Sequence, residues 1–275
     1  MTARKRLLVV TDLDASLLDH NYSWQAATPA LDRLRTMGIP LVLNSSKTLS
    51  ELIDLVEDLR LDSPIVAENG GAIAAPASSG LLDPNKALDR AGDYLLKVDG
   101  LSRDFILSIA HGLRERERFR FSGFADWSDE AVAERTGLPL AKAQLSRARF
   151  ATEPILWEDE EPRFKKFERL LADKGIRAVR GGRFIHLMGS ADKADGSRAI
   201  LKLYQEAEPE AEWLTVALGD SANDLAMLEA ADVAIVIPHA DGPRIAPQTP
   251  NVIQAPSPAT HGWNEALLNV LNQYC

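Results

Sequence analysis

A short apolar run, Leu7-Leu8-Val9-Val10-Thr11, stops abruptly at Asp12-Leu13-Asp14. With no polar residue alternating through it, the run reads as a strand buried on both faces, and such a strand needs helices on either side of its sheet. The following sequence supplies them. Residues 28–37 place Ala30, Leu31, Leu34 and Met37 at helical spacing, with Thr28 expected as N-cap, Pro29 in the first turn and Gly38 as the stop. Residues 39–43 predict a second strand, 50–59 a second helix and 64–67 a third strand that ends in Glu68-Asn69-Gly70-Gly71. Strands alternating with helices predict a parallel α/β sheet.

The alternation breaks between about 82 and 189, where charge density rises, aromatic residues become more frequent and helical patterns dominate. Residues 177–187 predict two strands around Gly181-Gly182, an antiparallel hairpin. The α/β rhythm then returns with a helix at 199–206, a strand at 214–218, a helix at 224–231 and a strand at 233–237. Residues 254–260 read as a surface loop before a last helix at 263–271. The expectation is an α/β core made of residues 1–81 and 190–275, with an α+β insertion at 82–189.

Composition narrows the partners. A formal net charge of -9 over 275 residues disfavours non-specific binding to nucleic acid or anionic membrane, while leaving room for a locally positive site that takes a small anion. The single cysteine, Cys275, rules out an intrachain disulfide and fits a reducing compartment. Asp12 interrupts the first apolar run too early for a signal peptide, and no later run approaches the roughly 20 apolar residues of a bilayer span. A cytoplasmic protein acting on a small molecule is expected; the oligomeric state is not legible.

Acidic residues just after a strand are common turn formers. Here, however, four strand ends carry chemically capable side chains: Asp12 and Asp14, Ser45 and Ser46, Glu68 and Asn69, and Asp220 with Asn223 and Asp224. Parallel strands deliver these ends to one edge of the sheet, where ligands bind. An aspartate attacking a phosphomonoester brings -1 up to about -2, a repulsion of ~8 kcal/mol at ~4 Å with an effective dielectric of ~20. A hard cation with oxygen ligands, Mg²⁺, offsets this, and Asp12, Asp220 and Asp224 can supply carboxylates. Lys193 and Ser45 are candidates to hold the phosphoryl oxygens, and Asp14 to protonate the leaving oxygen and later activate water.

Asp12-Leu13-Asp14, Ser45, Lys193 and Gly219-Asp220-Ser221-Ala222-Asn223-Asp224 resemble, in order and approximate spacing across almost the whole chain, the four motifs of the haloacid dehalogenase-like (HAD) phosphohydrolases. The resemblance implies a Rossmann-like parallel-sheet core with an inserted α+β cap, Mg²⁺ dependence and catalysis through an aspartyl-phosphate. It also groups Asp14 with Asp12, Asp220 and Asp224 at the metal. Within that superfamily, Leu18-Asp19-His20-Asn21-Tyr22-Ser23-Trp24, Asn44-Ser45-Ser46-Lys47-Thr48, Glu68-Asn69-Gly70-Gly71-Ala72-Ile73, the segment from Gly181 to Gly189 and Gly262-Trp263-Asn264-Glu265 are similar to mannosyl-3-phosphoglycerate phosphatases. That likeness implies hydrolysis of mannosyl-3-phosphoglycerate to mannosylglycerate, a compatible solute, and phosphate.

Two departures stand out: Ala15-Ser16 where Gly-Thr is usual, and Asp195-Gly196 after Lys193-Ala194 where Lys-Gly is commoner. Ala15 lacks glycine's freedom to adopt positive φ. Glucosyl-3-phosphoglycerate or another phosphorylated sugar, a phosphomutase reaction and a non-catalytic sugar-phosphate binding protein stay open as alternatives.

The remaining candidates for substrate contact are Lys47, the backbone N–H groups of Asn69, Gly70 and Gly71, and Arg180, Arg183 and His186 around the Gly-Gly turn. His20 and His111 lack metal-ligand spacing. Phe119, Phe121, Phe124 and Trp127 are expected in the core of the insertion, and Arg149 with Glu153 as an i,i+4 pair on a helix.

Overall fold

The computed structural model describes residues 4–85, 89–181 and 183–274; Gly182 of the expected hairpin turn and Cys275 lie outside them. The chain runs through β1 (Arg4–Thr11), α1 (Thr28–Met37), β2 (Leu41–Asn44), α2 (Leu49–Asp58), β3 (Ile65–Ala67), β4 (Ala72–Pro76), β5 (Asp89–Ala91) and β6 (Tyr94–Val98). It continues with α3 (Arg103–Glu117), β7 (Phe121–Gly123), α4 (Asp129–Thr136), α5 (Leu140–Arg147), β8 (Thr152–Trp157), α6 (Glu161–Ala172), β9 (Arg177–Arg180) and β10 (Ile185–Met188). It closes with α7 (Lys193–Ala207), β11 (Ala211–Gly219), α8 (Leu225–Glu229), β12 (Val233–Val236), β13 (Val252–Gln254) and α9 (Ala259–Tyr274). None of the described helices is long and apolar enough to cross a membrane.

Among the described residues the large sheet has the order β13-β12-β11-β1-β2-β3-β4-β6-β5. From β13 to β3 every pairing is parallel; β4, β6 and β5 extend it antiparallel. Alternate residues of β1 enter separate cores, as a two-sided strand requires. Leu7 and Val9 pack with Leu31, Leu34, Leu52, Trp263 and Leu267 from α1, α2 and α9. Leu8 and Val10 pack with Ile200, Met227 and Leu228 from α7 and α8.

A second sheet, β7-β8-β10-β9, is wholly antiparallel and is backed by α3 and α6, which bury Ile106, Phe164, Phe167 and Leu171 against it. Phe119, Phe121, Phe124 and Trp127 are buried in this inserted unit, as expected. Residues 89–98, assigned to the insertion from sequence, instead hydrogen-bond to the large sheet through the β5–β6 hairpin. Their mixed polarity hides this: β6 buries Tyr94, Leu95 and Leu96, whereas β5 is an exposed edge.

Thr28 is not the N-cap of α1. It is the first helical residue, and its hydroxyl donates to the Gln25 carbonyl. The cap comes from far along the chain, where Asn264 Oδ1 accepts the Ala30 N–H at 3.0 Å. The neighbouring Trp263 donates Nε1–H to Thr11 Oγ1 at 2.8 Å, directly before Asp12. Gly262 is required because a Cβ there would stand 1.6 Å from the Ser257 carbonyl oxygen. The Gly262-Trp263-Asn264 segment thus ties α9 to both β1 and α1. Asn264→Ala is expected to cost about 1 kcal/mol of stability, whereas Thr28→Ala changes it by less than about 0.5 kcal/mol; urea denaturation midpoints check both.

Candidate active site

The chain leaves β1 for β2 on one side, while β11 pairs with β1 on the other. This reversal opens a crevice at the carboxyl ends of the strands, the position at which open α/β sheets bind ligands. Asp12 follows β1, held by its N–H donating to the Leu218 carbonyl at 2.9 Å. Ser45 follows β2, Asp220 follows β11, and Lys193 opens α7. The folding of β1 between β2 and β11 therefore brings these sequence-distant groups to one edge.

Lys193 is 1 % exposed and its Nζ donates to Asp12 Oδ1 and Asp224 Oδ1, each at 2.5 Å. A buried ammonium persists only when paired, and the local backbone is built to hold this one. Asp192 and Asp195 form a capping box at the start of α7. Asn44 Nδ2 donates to the Lys193 carbonyl at 2.8 Å. Gly196 lets α7 approach β3, since a Cβ there would lie 2.3 Å from a Val66 methyl group. The departure Asp195-Gly196 therefore keeps a helix cap and a close packing contact.

The other oxygen of Asp224 accepts the N–H groups of Asp220 and Ser221 at 3.0 Å each. A side chain at Gly219 would collide with Asp224, its Cβ falling 2.5 Å from the Asp224 Cβ. Asp224 thereby accepts more hydrogen bonds than Asp12 or Asp220, its Oδ2 also taking the Ser221 hydroxyl at 3.2 Å.

Oxygens of Asp12, Asp220 and Asp224 lie within 4.8 Å of one another. Three buried carboxylates facing one ammonium form an acidic, all-oxygen donor set, which fits a hard divalent cation. Burial pushes the Asp12 carboxyl up to about 7, with Asp224 and Asp220 adding to the rise against the pull of Lys193. Burial and Asp224 likewise raise Asp220. For Lys193, burial works downward, but Asp12 and Asp224 together hold it above the ordinary lysine range.

Asp14 stands apart from this cluster. Its half-exposed carboxylate accepts from Lys47 Nζ at 2.7 Å, so it is not one of the clustered carboxylates with which it was grouped. Lys47 also lies over the Tyr22 ring, 5.4 Å from its centroid. Burial disfavours the Lys47 charge, yet Asp14 outweighs it and raises the lysine. Ala15, directly after Asp14, adopts φ 59°, the left-handed region in which alanine is strained.

The other expected contacts divide. The N–H groups of Asn69 and Gly71 donate internally to the carbonyls of Ser45 and Glu68, so they are not directed at a ligand. Gly70 instead permits close packing, as a Cβ there would meet the Asp192 carbonyl oxygen at 1.9 Å. Arg180 pairs with Glu161 and covers the Phe164 ring, and Arg183 is exposed. His186 is half-buried on β10, and burial with nearby Arg149 pushes it down to about 4, leaving a neutral imidazole at neutral pH. Arg149 and Glu153 do not form a helical pair. Glu153 lies on β8 and pairs with Arg103 at 2.7 Å, whereas Arg149 Nη1 donates to Thr152 Oγ1.

Sequence reasoning missed His239 and the support given by Asn44, and it named Glu68 only as a polar strand end. His239 Nε2 lies 2.7 Å from Asp220 Oδ2, though outside hydrogen-bond alignment. Asn44 supports Lys193, and Glu68 is buried with its carboxylate on residues 150–152. Asn44 and Glu68 were signalled by their polarity at the ends of apolar strands; nothing in the local sequence marks His239.

A profile of the haloacid dehalogenase-like hydrolases matches residues 9–246. The chain belongs to that family. It is 36% identical over 273 residues to a Persephonella marina protein named glucosyl-3-phosphoglycerate/mannosyl-3-phosphoglycerate phosphatase, covering 97% of this chain and 98% of the relative. A Methanococcoides burtonii protein of the same name is 34% identical over 272 residues, covering 97% of each. Among solved structures, a haloacid dehalogenase-like hydrolase from Bacteroides thetaiotaomicron shares the fold with a TM-score of 0.65 at 17% identity, over 97% of this chain and 100% of that one. A Thermoplasma acidophilum structure matches with a TM-score of 0.63 at 15% identity, over 97% and 98%.

Two outcomes follow from the site's electrostatics and backbone. Asp12 holds a proton between its ordinary value of 3.8 and about 7 in the folded, cation-free protein. The folded state then binds more protons than the unfolded one, so this group makes stability fall as pH rises through that interval. A divalent cation at these carboxylates would replace the proton, and adding Mg²⁺ is expected to raise the melting temperature more at pH 8 than at pH 5. Ala15→Gly relieves about 1–2 kcal/mol of left-handed strain against about 0.4–1 kcal/mol of added chain entropy; a urea titration is expected to show equal or slightly higher stability.

Proposed function

We propose that the protein is a Mg²⁺-dependent phosphomonoesterase acting on a sugar-phosphoglycerate, and that Asp12 is its nucleophile. The observation that carries this reading is Lys193 bridging Asp12 and Asp224 beside Asp220 at the switch point of the sheet. Asp12 and Asp220 would hold the cation, with Asp224 fixing Lys193 and the loop around Asp220. When bound, Mg²⁺ would supply positive charge that offsets the repulsion of Asp12 for the incoming phosphoryl group.

The residues of the chain then divide the work. Lys193 and the Ser45 hydroxyl bind phosphoryl oxygens and turn phosphorus towards Asp12. An Asp12 oxygen forms a bond to phosphorus as the bond to the leaving oxygen breaks, and Asp14 gives that oxygen its proton. The aspartyl-phosphate is then attacked by a water whose proton goes to Asp14, which restores both aspartates and releases phosphate. The Lys47–Asp14 ion pair must open for Asp14 to carry a proton. An anionic group of the substrate, such as the glycerate carboxylate, is a suitable competitor for Lys47. His186, neutral at working pH, suits a sugar hydroxyl better than a phosphate.

The names of the two relatives support both glucosyl- and mannosyl-3-phosphoglycerate as substrates, with the mannosyl compound favoured by the motif resemblance. Phosphate release from each, with and without Mg²⁺, is expected to exceed that from simple sugar phosphates. Asp12→Asn is expected to lower kcat by roughly 10³-fold or more. Undiminished Mg²⁺-dependent release by that variant would overturn the mechanism.

A further inference from the structure

The loop 68–71 between β3 and β4 touches the site, the inserted unit and both connections between them. Glu68 N–H donates to the Lys47 carbonyl and Asn69 N–H to the Ser45 carbonyl, each at 2.9 Å. The Gly71 carbonyl accepts from Asp99 N–H at 3.0 Å, where the chain leaves for the insertion. Gly70 packs on Asp192, where the chain returns, and Gly71 packs on Ala151 so closely that a Cβ would stand 2.7 Å from the alanine's own.

The Glu68 side chain makes the remaining link. It is completely buried, and its carboxylate accepts Phe150 N–H at 2.7 Å, Ala151 N–H at 3.1 Å and Thr152 Oγ1–H at 2.6 Å. Thr152 Oγ1 in turn accepts Arg149 Nη1–H at 2.8 Å. Glu68, Asn69 and Gly70 all have positive φ, at 53°, 56° and 94°. Non-glycine residues hold that conformation only where their surroundings over-determine it. Three acceptor bonds on one buried carboxylate are such a constraint.

We infer that Glu68 is a positioning residue that seats the cap on the core, fixing segment 149–152 and the Arg149 guanidinium relative to Ser45 and Lys47. It touches no reacting atom. Its effect falls on substrates large enough to meet cap and core together, which rests on the sugar-phosphoglycerate reading above. A small phosphomonoester held by Asp12, Ser45 and Lys193 alone is indifferent to it.

The test compares Glu68→Gln and Thr152→Val with the unaltered protein. Glutamine keeps the size but places an NH₂ donor against N–H and O–H donors. Valine removes the hydroxyl's bonds to Glu68 and Arg149 but leaves the two backbone bonds, so it carries the test should Glu68→Gln fail to fold. Steady-state kinetics on mannosyl- or glucosyl-3-phosphoglycerate and on p-nitrophenyl phosphate are read beside amide hydrogen exchange of residues 149–152. Glu68→Gln is expected to raise KM for the sugar-phosphoglycerate by about tenfold or more, to leave p-nitrophenyl phosphate kinetics within about twofold, and to speed exchange at Phe150 and Ala151. Thr152→Val is expected to raise the same KM by a smaller factor. Equal losses on both substrates, or unchanged exchange at 149–152, would overturn the inference. If the unaltered protein hydrolyses only p-nitrophenyl phosphate, the substrate reading fails, and faster exchange in the variants still supports the seating role while unchanged exchange removes it.

Discussion

The buried ion triad of Asp12, Lys193 and Asp224 is the constraint around which the catalytic end of the sheet is organised. An ammonium at this depth is tolerable only with acceptors on hand, and each acceptor must itself be held. Asn44 and the Asp192–Asp195 capping box fix the start of α7. The N–H groups of Asp220 and Ser221 fix Asp224, and the missing side chains of Gly196 and Gly219 provide the clearance. The arrangement remains acidic despite the lysine. Its excess negative charge is what suits it to a cation, and the same excess would repel a phosphate if no cation came.

A second level of organisation concerns the size of what is recognised. The core alone offers a hydroxyl, an ammonium and carboxylates, which suffice for a phosphoryl group. On the proposed reading, recognition of the rest of a substrate falls to Lys47 and the inserted unit. That unit is attached through Glu68 on residues 150–152, Thr48 Oγ1 on the Leu145 carbonyl, Lys142 on Asp54, Phe150 packed on the main core and the two connecting segments. On that reading, phosphoryl chemistry and substrate choice are anchored by different residues and can vary separately.

Much of this was legible in the sequence because the chain advertises it in local terms. Apolar runs gave the parallel strands, and polar residues just past them gave Asp12, Ser45, Asp220 and Asp224. What escaped was non-local. Thr28 looked like a helix cap, but a cap is defined by which oxygen reaches the N–H groups, and Asn264 arrives from α9. The glycines at 70 and 71 looked like an anion cradle, yet they answer to the bulk of Asp192 and Ala151. Arg149 and Glu153 have helical spacing, which means nothing where the backbone is turning into β8. His239 carries no local pattern and becomes visible only because β12 lies beside β11.

Trp263 supports Thr11 across 252 positions of sequence, and Lys193 reaches Asp12 across 181. Contacts of such range are closed against a large loss of chain freedom, which slows folding of topologies that depend on them. The surroundings of β1 are therefore complete only once α7 and α9 have docked. A chain that has folded only its first helices and strands has Asp12 in its sequence but neither the ammonium that balances it nor the indole that braces its neighbour. Reactivity in this protein is a property of the finished topology, and no fragment holding the first two motifs can carry it.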